Sequence, residues 1–224
     1  MAKPLIIIAT GNAHKAEEIQ ALLGSSWEFK TLKSYPDAPT PVEDAKTFEG
    51  NARIKADTIG QWILSNHPLA ASHPAVYLLA DDSGLEVDAL DGRPGVRSAR
   101  FAADDTGADG NSSDADNNAK LLRLLQPIQT DKKTARFRCA LHLKALSVSD
   151  SNWPKELQAE GACEGRITTA PSGTEGFGYD PLFIPNGYDQ SFAELGEATK
   201  NKLSHRAVAV LKLAEALTPY IKGL

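Results

Sequence analysis

The stretch VYLLADDSGLEVDALDGRPGVRSAR, which spans Val76–Arg100, decides how the rest of the chain is interpreted. Its first part, Val76–Ala80, is a short apolar run that is typical of a buried strand. The run meets two adjacent carboxylates, Asp81 and Asp82, and the pair Ser83-Gly84 then predicts a turn. Because successive side chains of a strand point to opposite faces, we expect one aspartate to face a cleft and the other to face elsewhere.

Three arginines follow these carboxylates in a segment rich in glycine and proline, at positions Arg93, Arg97 and Arg100. Carboxylates at the end of a strand with arginines close behind favour a ligand that is a polyanion carried on a hard divalent cation. The alternative is an ordinary Asp/Gly turn with exposed arginines, which is commoner for any single aspartate. Taken together, the whole stretch favours the ligand site.

Length and composition restrict the class of protein. With 224 residues, of which 42% are hydrophobic, the chain suits one large domain or two lobes that share a core. A net charge of -5 argues against binding to nucleic-acid polymers. Cys139 and Cys163 fit neither a disulfide framework nor paired metal-ligand spacing and are interpreted as packing residues. No apolar run reaches the length of a signal-peptide core or a membrane span, so we expect a cytoplasmic protein without a membrane partner.

The N-terminal segment has the pattern of a strand followed by a helix. Leu5–Ala9 is apolar, Thr10-Gly11-Asn12 interrupts it, and Ala16–Leu23 carries helix formers with one apolar side. Free N–H groups at the start of such a helix can bind an anion, and Lys15 adds a positive charge there. The turn matches neither the P-loop nor the dinucleotide-binding glycine pattern, so a plain strand–helix turn stays open.

A proline-rich acidic loop that contains Glu43 leads into a predicted helix over Thr47–Leu64. Asn51 and Lys55 lie four residues apart on one face of that helix. Their position is compatible with a functional role and equally with an ordinary helix surface.

The middle of the chain predicts a mixed sheet. Ala135–Ala145 alternates strictly between apolar and other residues, which is typical of a half-exposed antiparallel strand, and Leu157–Thr169 is predicted to pair with it. The acidic segment Ala102–Asn118 lacks the ligand spacing of an EF-hand. We therefore interpret it as a solvated loop that leads into a helix over Ala119–Leu125.

Two features near the C-terminus favour a ligand site. The glycines of Gly173–Pro185 allow close approach of a ligand to the backbone, and Phe177 and Tyr179 offer flat faces to a base, although such a loop can also merely cap a core. Several basic residues stand just before a predicted terminal helix over Ala207–Ile221. Because positive charges there oppose the helix dipole, they predict an anion nearby.

Several blocks, collinear from Leu5 to the terminal helix, resemble the inosine triphosphate pyrophosphatase family, whose members are also called Ham1-like proteins. They read, in chain order, Thr10-Gly11-Asn12 with Lys15, Thr47-Phe48-Glu49 with Asn51 and Lys55-Ala56, Asp81-Asp82-Ser83-Gly84-Leu85, Gly92 with Pro94-Gly95 and Ser98-Ala99-Arg100, Gly176-Phe177-Gly178-Tyr179-Asp180-Pro181, and Ser204-His205-Arg206. Several blocks matching in order are far more specific than any one of them. The bacterial branch of the family is the most similar.

The resemblance implies an α/β fold that is elongated and two-lobed around a long mixed β-sheet with flanking helices, with an active-site cleft between the lobes. It implies one domain over residues 1–224, a homodimer and a requirement for Mg²⁺. The implied reaction is hydrolysis of ITP, dITP, XTP and dXTP to the monophosphate and pyrophosphate, which removes deaminated purines from the nucleotide pool.

The resemblance also assigns site residues. Asp82 is similar to the family's proton acceptor and metal-linked carboxylate, and Glu43 stands at the place of a second metal carboxylate, although the usual Glu-Glu-Thr-Gly reads Val42-Glu43-Asp44-Ala45 here. The positions that match substrate-binding residues are Thr10, Gly11, Asn12, Ala13, His14, Lys15, Lys55, Ser83, Phe177, Gly178, Tyr179, Asp180, Lys200, His205 and Arg206.

Two other functions stay open. A nucleotide-binding module without catalysis would be expected to lack one of the acidic residues, yet Glu43, Asp81 and Asp82 are all present. A Maf-like pyrophosphatase for modified pyrimidine nucleotides shares the broad fold. The blocks Gly176–Asp180 and Ser204–Arg206 argue against that second alternative.

Overall fold

The computed structural model describes residues 2–69, 72–105, 107, 110–129 and 132–221. Within them a six-stranded sheet has the spatial order β2-β1-β3-β4-β5-β6. The strands are β1 Leu5–Ala9, β2 Glu28–Thr31, β3 Ala75–Val87, β4 Thr134–Val148, β5 Glu156–Ile167 and β6 Phe183–Pro185. Strand β1 pairs in parallel with β2 and β3, whereas β5 and β6 are antiparallel. The predicted mixed sheet, with β5 beside β4, is confirmed.

Helices flank this sheet, as the α/β prediction requires. They are α1 Ala13–Leu23, α2 Phe48–Asn66, α3 Asp114–Leu125, α4 Phe192–Leu203 and α5 His205–Ile221, with short 3-10 helices at Leu32–Ser34, Asp88–Leu90, Gly95–Arg100 and Ala103–Asp105. Side chains of Asn12, Thr47, Ser113 and Ser191 cap the first four. Because Asn12 and Ser113 supply these caps, α1 and α3 begin earlier than predicted. None of the described helices is long and apolar enough to cross a membrane.

The chain divides into two compact units, each with its own core. The first comprises Met1–Asp82, Cys139–Gly161 and Arg206–Leu224, and the second comprises Ser83–Arg138 and Ala162–His205. In the first unit, alternate residues of β1 pack against α1 and α5 on one face of the sheet and against α2 on the other. In the second unit, residues of β3, β4 and β6 pack with α3 and with the start of α4.

An aromatic cluster lies in the core of the first unit. The Trp27 ring lies 6.3 Å from Tyr77 and 6.4 Å from Trp153, centroid to centroid, and Tyr220 lies 5.8 Å from Trp153. The Tyr77 hydroxyl donates to the carbonyl oxygen of Pro154 at 2.8 Å. These contacts hold the segment before β5 against the sheet.

The prediction of a turn at Ser83-Gly84 is wrong, because β3 continues to Val87. Glycine is needed there for packing: a Cβ atom on Gly84 would lie 2.4 Å from Ser98 Oγ and 2.6 Å from the Gly95 carbonyl oxygen. The close approach also lets the Leu85 N–H donate to Ser98 Oγ at 2.8 Å. The glycine therefore seats the following 3-10 helix against the strand.

The prediction that β4 is half-exposed is also wrong over its middle. Ala140 and His142, on the face expected to be exposed, are 2% and 1% exposed. Helix α2 covers that face, since Leu146 packs with the α2 core residues and Lys144 forms an ion pair with Asp57 of α2. In a strand that is covered on both faces, the alternation of apolar and other residues does not report which side chains are buried.

Candidate active site

Asp82 belongs to a cluster of charged groups in the first unit, where β3 meets α2 and the loop before α2. Lys55 Nζ lies 2.9 Å from Asp82 Oδ1 and 2.9 Å from Glu43 Oε2, and it donates to the Asp81 carbonyl oxygen at 3.0 Å. We call Glu43, Asn51, Lys55 and Asp82 the Asp82 cluster. Three of its members were predicted site residues, and the structure brings them together around one ammonium group.

Asn51 is the member of this cluster that was not assigned a role. It is fully buried, and its Nδ2 donates to Asp82 Oδ2 at 3.2 Å while its Oδ1 accepts from the Ala45 N–H at 3.0 Å. The amide thus links the catalytic candidate to the loop that carries Glu43. The sequence signal for Asn51 is its place four residues before Lys55 on α2, since both side chains share one helix face.

Burial and neighbouring charges have opposite effects on the pKa values of Asp82 and Lys55. Burial raises the pKa of Asp82, although the Lys55 charge acts in the opposite direction. Burial lowers the pKa of the Lys55 ammonium, but Asp82 and Glu43 outweigh it, so that the Lys55 pKa is raised. A partly desolvated carboxylate with a raised pKa is a stronger proton acceptor than one in water, which suits Asp82 to general-base work.

The donor set of the Asp82 cluster fits Mg²⁺. Two carboxylates, from Glu43 and Asp82, already converge on one cationic group. Mg²⁺ prefers oxygen ligands and is usually bound through one or two carboxylates together with waters and substrate phosphates. Among the described residues no group of three or more His, Cys, Asp or Glu could hold a metal by itself. A magnesium ion held here would therefore complete its ligands from substrate and water.

Asp81 lies in a second set of charges that we call the Asp81 cluster, in which Asp81 and Arg206 are buried and Lys15 is partly exposed. Its Oδ1 accepts from Lys15 Nζ at 2.5 Å, and its Oδ2 accepts from Arg206 Nε at 3.1 Å and from Cys139 Sγ at 3.1 Å. Arg206 also donates to Glu18. The two aspartates thus contact different partners, as the alternation of a strand predicts.

The charges of the Asp81 cluster stabilise one another. Burial raises the pKa of the Asp81 carboxyl, but Arg206 and Lys15 outweigh it and hold that pKa well below its ordinary range. The Cys139 thiol has a pKa well above its ordinary value, because of burial and the adjacent Asp81 charge. Cys139 therefore packs, as predicted, and also donates a hydrogen bond; Cys163 is likewise a buried free thiol.

The turn before α1 has the caps expected of a helix start. Thr10 Oγ1 accepts from the Asn12 N–H at 3.1 Å, and Asn12 Oδ1 accepts from the Lys15 N–H at 3.2 Å. Gly11, Ala13 and His14 are exposed, whereas Lys15 turns toward Asp81. Phosphate binding by this turn stays a prediction.

In the second unit, the Gly176–Asp180 loop is built around Asp180. Asp180 Oδ2 accepts from the Phe177 N–H at 2.9 Å and from Lys200 Nζ at 2.7 Å, and Lys200 Nζ also lies 4.3 Å from the centroid of the Phe177 ring. Tyr179 is buried, and its hydroxyl donates to the Ser98 carbonyl oxygen at 2.9 Å. The half-buried Phe177 is thus the loop aromatic that keeps a face outside the core.

The basic residues near α5 do not stand where the sequence suggested. Lys200 and Lys202 occupy the last turn of α4, where positive charge complements the helix dipole, so the predicted conflict with the dipole is wrong for them. His205 begins α5 and stacks on Phe137 with 4.8 Å between ring centroids. Arg206 lies in the Asp81 cluster. Ser83 is a half-buried residue of β3.

The acidic segment is more structured than a solvated loop. Asp104 forms an ion pair with Arg97, and Asp105 accepts from Lys120 and Arg123 at 2.7 and 2.6 Å. Helix α3 already begins at Asp114. Residues 106, 108 and 109 of this segment lie outside the described residues.

Comparison with known proteins decides the family. The model of the Ham1 family matches residues 6–216. The chain belongs to the Ham1 family. This Ham1-family chain is similar to the dITP/XTP pyrophosphatase of Exiguobacterium sibiricum, with 44% identity over 96% of this chain and 98% of the relative. It is also similar to the dITP/XTP pyrophosphatase of Nitratidesulfovibrio vulgaris, with 41% identity over the whole of both chains.

Solved structures agree with the Ham1 fold. The HAM1 protein from Coxiella burnetii superimposes with a TM-score of 0.74 at 33% identity and covers 96% of this chain and 98% of that one. The Staphylococcus aureus Ham1 protein superimposes with a TM-score of 0.75 at 30% identity and covers 96% and 99%. The predicted family and the α/β fold with a mixed sheet are confirmed.

Proposed function

We propose that this Ham1-family protein hydrolyses dITP, ITP, XTP and dXTP to the nucleoside monophosphate and pyrophosphate. The observation that carries the proposal is the convergence of Asp82 and Glu43 on Lys55, beside an N-capped turn and a lysine suited to phosphates. Relatives named dITP/XTP pyrophosphatase, at 41–44% identity over almost the whole chain, support the choice of substrate. Removing such nucleotides would keep deaminated purines out of the nucleotide pool.

The reaction adds one water across the bond between the α-phosphorus and the oxygen bridging to the β-phosphorus. The water oxygen bonds to the α-phosphorus, pyrophosphate leaves with the bridging oxygen, and a proton is lost from the water. Asp82 accepts that proton or orients the water. Lys55 and Asn51 hold the Asp82 carboxylate in place. Attack at the α-phosphorus follows the family resemblance.

Charge neutralisation is the other requirement of phosphoanhydride cleavage. Mg²⁺, when held by Asp82 and Glu43, would offset the charge of the triphosphate. Lys15 and the backbone N–H groups of the Thr10–Lys15 turn are proposed to bind phosphate oxygens. Arg206 is proposed to act indirectly: it donates to Asp81, and Asp81 in turn orients Lys15.

Base recognition is assigned to the second unit. Phe177 supplies a stacking face that does not discriminate between bases. Lys200 and His205 are proposed to donate toward the 6-oxygen of hypoxanthine and xanthine, whereas the 6-amino group of adenine would place donor against donor. The proposal includes a cytoplasmic homodimer, by resemblance to the family; light scattering of the purified protein tests the dimer.

The first test is the rate of pyrophosphate release with dITP, XTP, GTP, ATP and dUTP in the presence of Mg²⁺. We expect kcat/KM for dITP and XTP to exceed that for ATP by on the order of a hundredfold or more, because a mismatched partner leaves buried polar groups unpaired. A preference for dUTP would favour the Maf-like alternative. Tight binding of dITP without turnover would favour a nucleotide-binding module.

The second test removes the metal. We expect EDTA to abolish turnover of dITP, Mg²⁺ to restore it, Mn²⁺ to restore part of it, and Ca²⁺ to inhibit, because its coordination is looser. The readout is initial rate in metal-free buffer titrated with each ion. Undiminished turnover in EDTA would contradict the metal-carboxylate part of the proposal.

A further inference from the structure

The backbone of the Gly176–Asp180 loop is held from two sides within the second unit. On one side Asp180 accepts from the Phe177 N–H. On the other side the first two turns of α3 contact Gly178: Asp114 Oδ2 accepts from the Gly178 N–H at 2.7 Å, and Asn118 Nδ2 donates to the Gly178 carbonyl oxygen at 3.0 Å. Both polar groups of one glycine are thus bound by residues four apart on one helix face.

Because a peptide unit is planar, the Gly178 N–H reports the orientation of the unit that joins Phe177 to Gly178. Asp114 fixes that unit, and Asp180 fixes the unit before Phe177. Both backbone torsions of Phe177 are therefore restrained by hydrogen bonds, and with them the direction of its Cα–Cβ bond, while Lys200 Nζ contacts the ring itself at 4.3 Å from its centroid. Gly178 has a φ of +64°, in the left-handed region that glycine adopts without strain.

Helix α3 is itself anchored, so it can serve as a rigid support. Asn117 Oδ1 accepts from the Ala102 N–H at 2.8 Å, its Nδ2 donates to the Ala99 carbonyl oxygen at 3.2 Å, and Lys120 Nζ donates to the Phe101 carbonyl oxygen at 2.6 Å. The loop hydrogen bonds of Asp114 and Asn118 therefore act against a fixed helix.

We infer that Asp114 and Asn118 are positioning residues for base stacking: they hold the Gly178 backbone and thereby aim the Phe177 ring at the purine. The inference rests on the proposed function, because it takes Phe177 as the stacking residue. It gives a purpose to the acidic segment, whose last residues form the start of α3 and bring Asp114 and Asn118 to the loop.

The test compares Asp114→Ala and Asn118→Ala with wild type for dITP turnover. Each substitution is expected to raise KM about three- to tenfold with kcat within twofold, because one hydrogen bond that orders the loop is lost. Asp114→Asn keeps an acceptor oxygen and should raise KM less. Arg123→Ala, on the same helix but with a side chain 65% exposed, is the matched control and should leave KM unchanged.

A double-mutant cycle distinguishes an effect of Asp114 through the Phe177 ring from an effect of Asp114 on structure alone. Phe177→Ala is expected to raise KM about five- to a hundredfold through lost stacking. If Asp114 acts through the ring, adding Asp114→Ala to that variant raises KM no further, since the two effects are not additive. The inference is overturned if the KM increases of Phe177→Ala and Asp114→Ala multiply in the double variant. It is also overturned if neither Asp114→Ala nor Asn118→Ala changes KM.

Hydrogen exchange provides a readout that needs no substrate. Amides of residues 176–180 should exchange faster in Asp114→Ala and Asn118→Ala than in wild type and in Arg123→Ala. Equal exchange in all four proteins would overturn the inference. A wild-type protein that does not cleave dITP would instead refute the proposed function, and the stacking role with it.

Discussion

Replacing Asp82 with asparagine is expected to remove most of the turnover of dITP while the protein stays folded. Loss of a positioned general base typically lowers kcat on the order of 10²–10⁴-fold. Asparagine has the same shape, and its one oxygen can still accept from either Lys55 or Asn51, while Glu43 continues to pair with Lys55, so we expect the fold around the cluster to survive. What it lacks is the ability to accept a proton from the attacking water and to bind Mg²⁺ with a full negative charge.

The measurement is kcat at saturating dITP and Mg²⁺, together with the thermal unfolding temperature of each variant. Asp57→Asn is the matched control, because Asp57 lies on α2 beside the cluster but pairs with Lys144 and Arg53 at the helix surface. Its kcat should stay near that of wild type. A folded Asp82→Asn protein that turns over dITP normally would show that Asp82 is not the base.

Replacing the neighbouring Asp81 with asparagine is expected to lower stability, and to lower kcat less than Asp82→Asn does. The Asp81 cluster balances two positive groups, Lys15 and Arg206, against two negative groups, Asp81 and Glu18. Asparagine at position 81 leaves one positive charge without a counter-charge beside Arg206, whose side chain is 1% exposed. Removing one partner of a buried ion pair lowers the free energy of unfolding by about 3–5 kcal/mol.

The pH dependence of this effect follows from the direction of the pKa shift. The folded-state pKa of Asp81 lies well below the ordinary value of 3.8, so the carboxylate contributes stability that is fully present above that value. The contribution is lost as the pH falls below 3.8 toward the folded-state pKa. The difference in unfolding free energy between wild type and Asp81→Asn should therefore be constant near neutral pH and narrow in strong acid.

Urea unfolding at several pH values measures this difference. Asp57→Asn again serves as the control, since loss of a partly exposed ion pair changes stability by only about 0–1 kcal/mol. If Asp81→Asn proves as stable as Asp57→Asn at neutral pH, the Asp81 cluster is not the buried, mutually dependent set of charges described above.

Local patterns in the sequence were sufficient where the cause of a structure is local. The apolar run before Asp81 predicted β3, strand alternation predicted that Asp81 and Asp82 contact different partners, and the spacing of Asn51 and Lys55 predicted a shared helix face. These features depend on neighbours within one turn of helix or a few strand residues.

Other features depend on contacts that no local pattern shows. Gly84 was interpreted as a turn residue, yet its role is set by Ser98 and by the Gly95 carbonyl oxygen, which belong to a later 3-10 helix. Arg206 pairs with Glu18 across 188 positions of sequence. Its ion pairs with carboxylates could therefore not be inferred from the residues around it. The Asp114 contact with Gly178 joins two segments 64 positions apart.

The aromatic cluster of Trp27, Tyr77 and Trp153 has a spectroscopic consequence. The chain contains three tryptophans, and the third, Trp62, also belongs to the first unit. Intrinsic tryptophan fluorescence therefore monitors the melting of this unit alone, while circular dichroism reports on helices and strands of both. Superimposable denaturation curves from the two signals would identify a single cooperative transition, whereas curves with separate midpoints would reveal an intermediate in which only one unit retains its native packing.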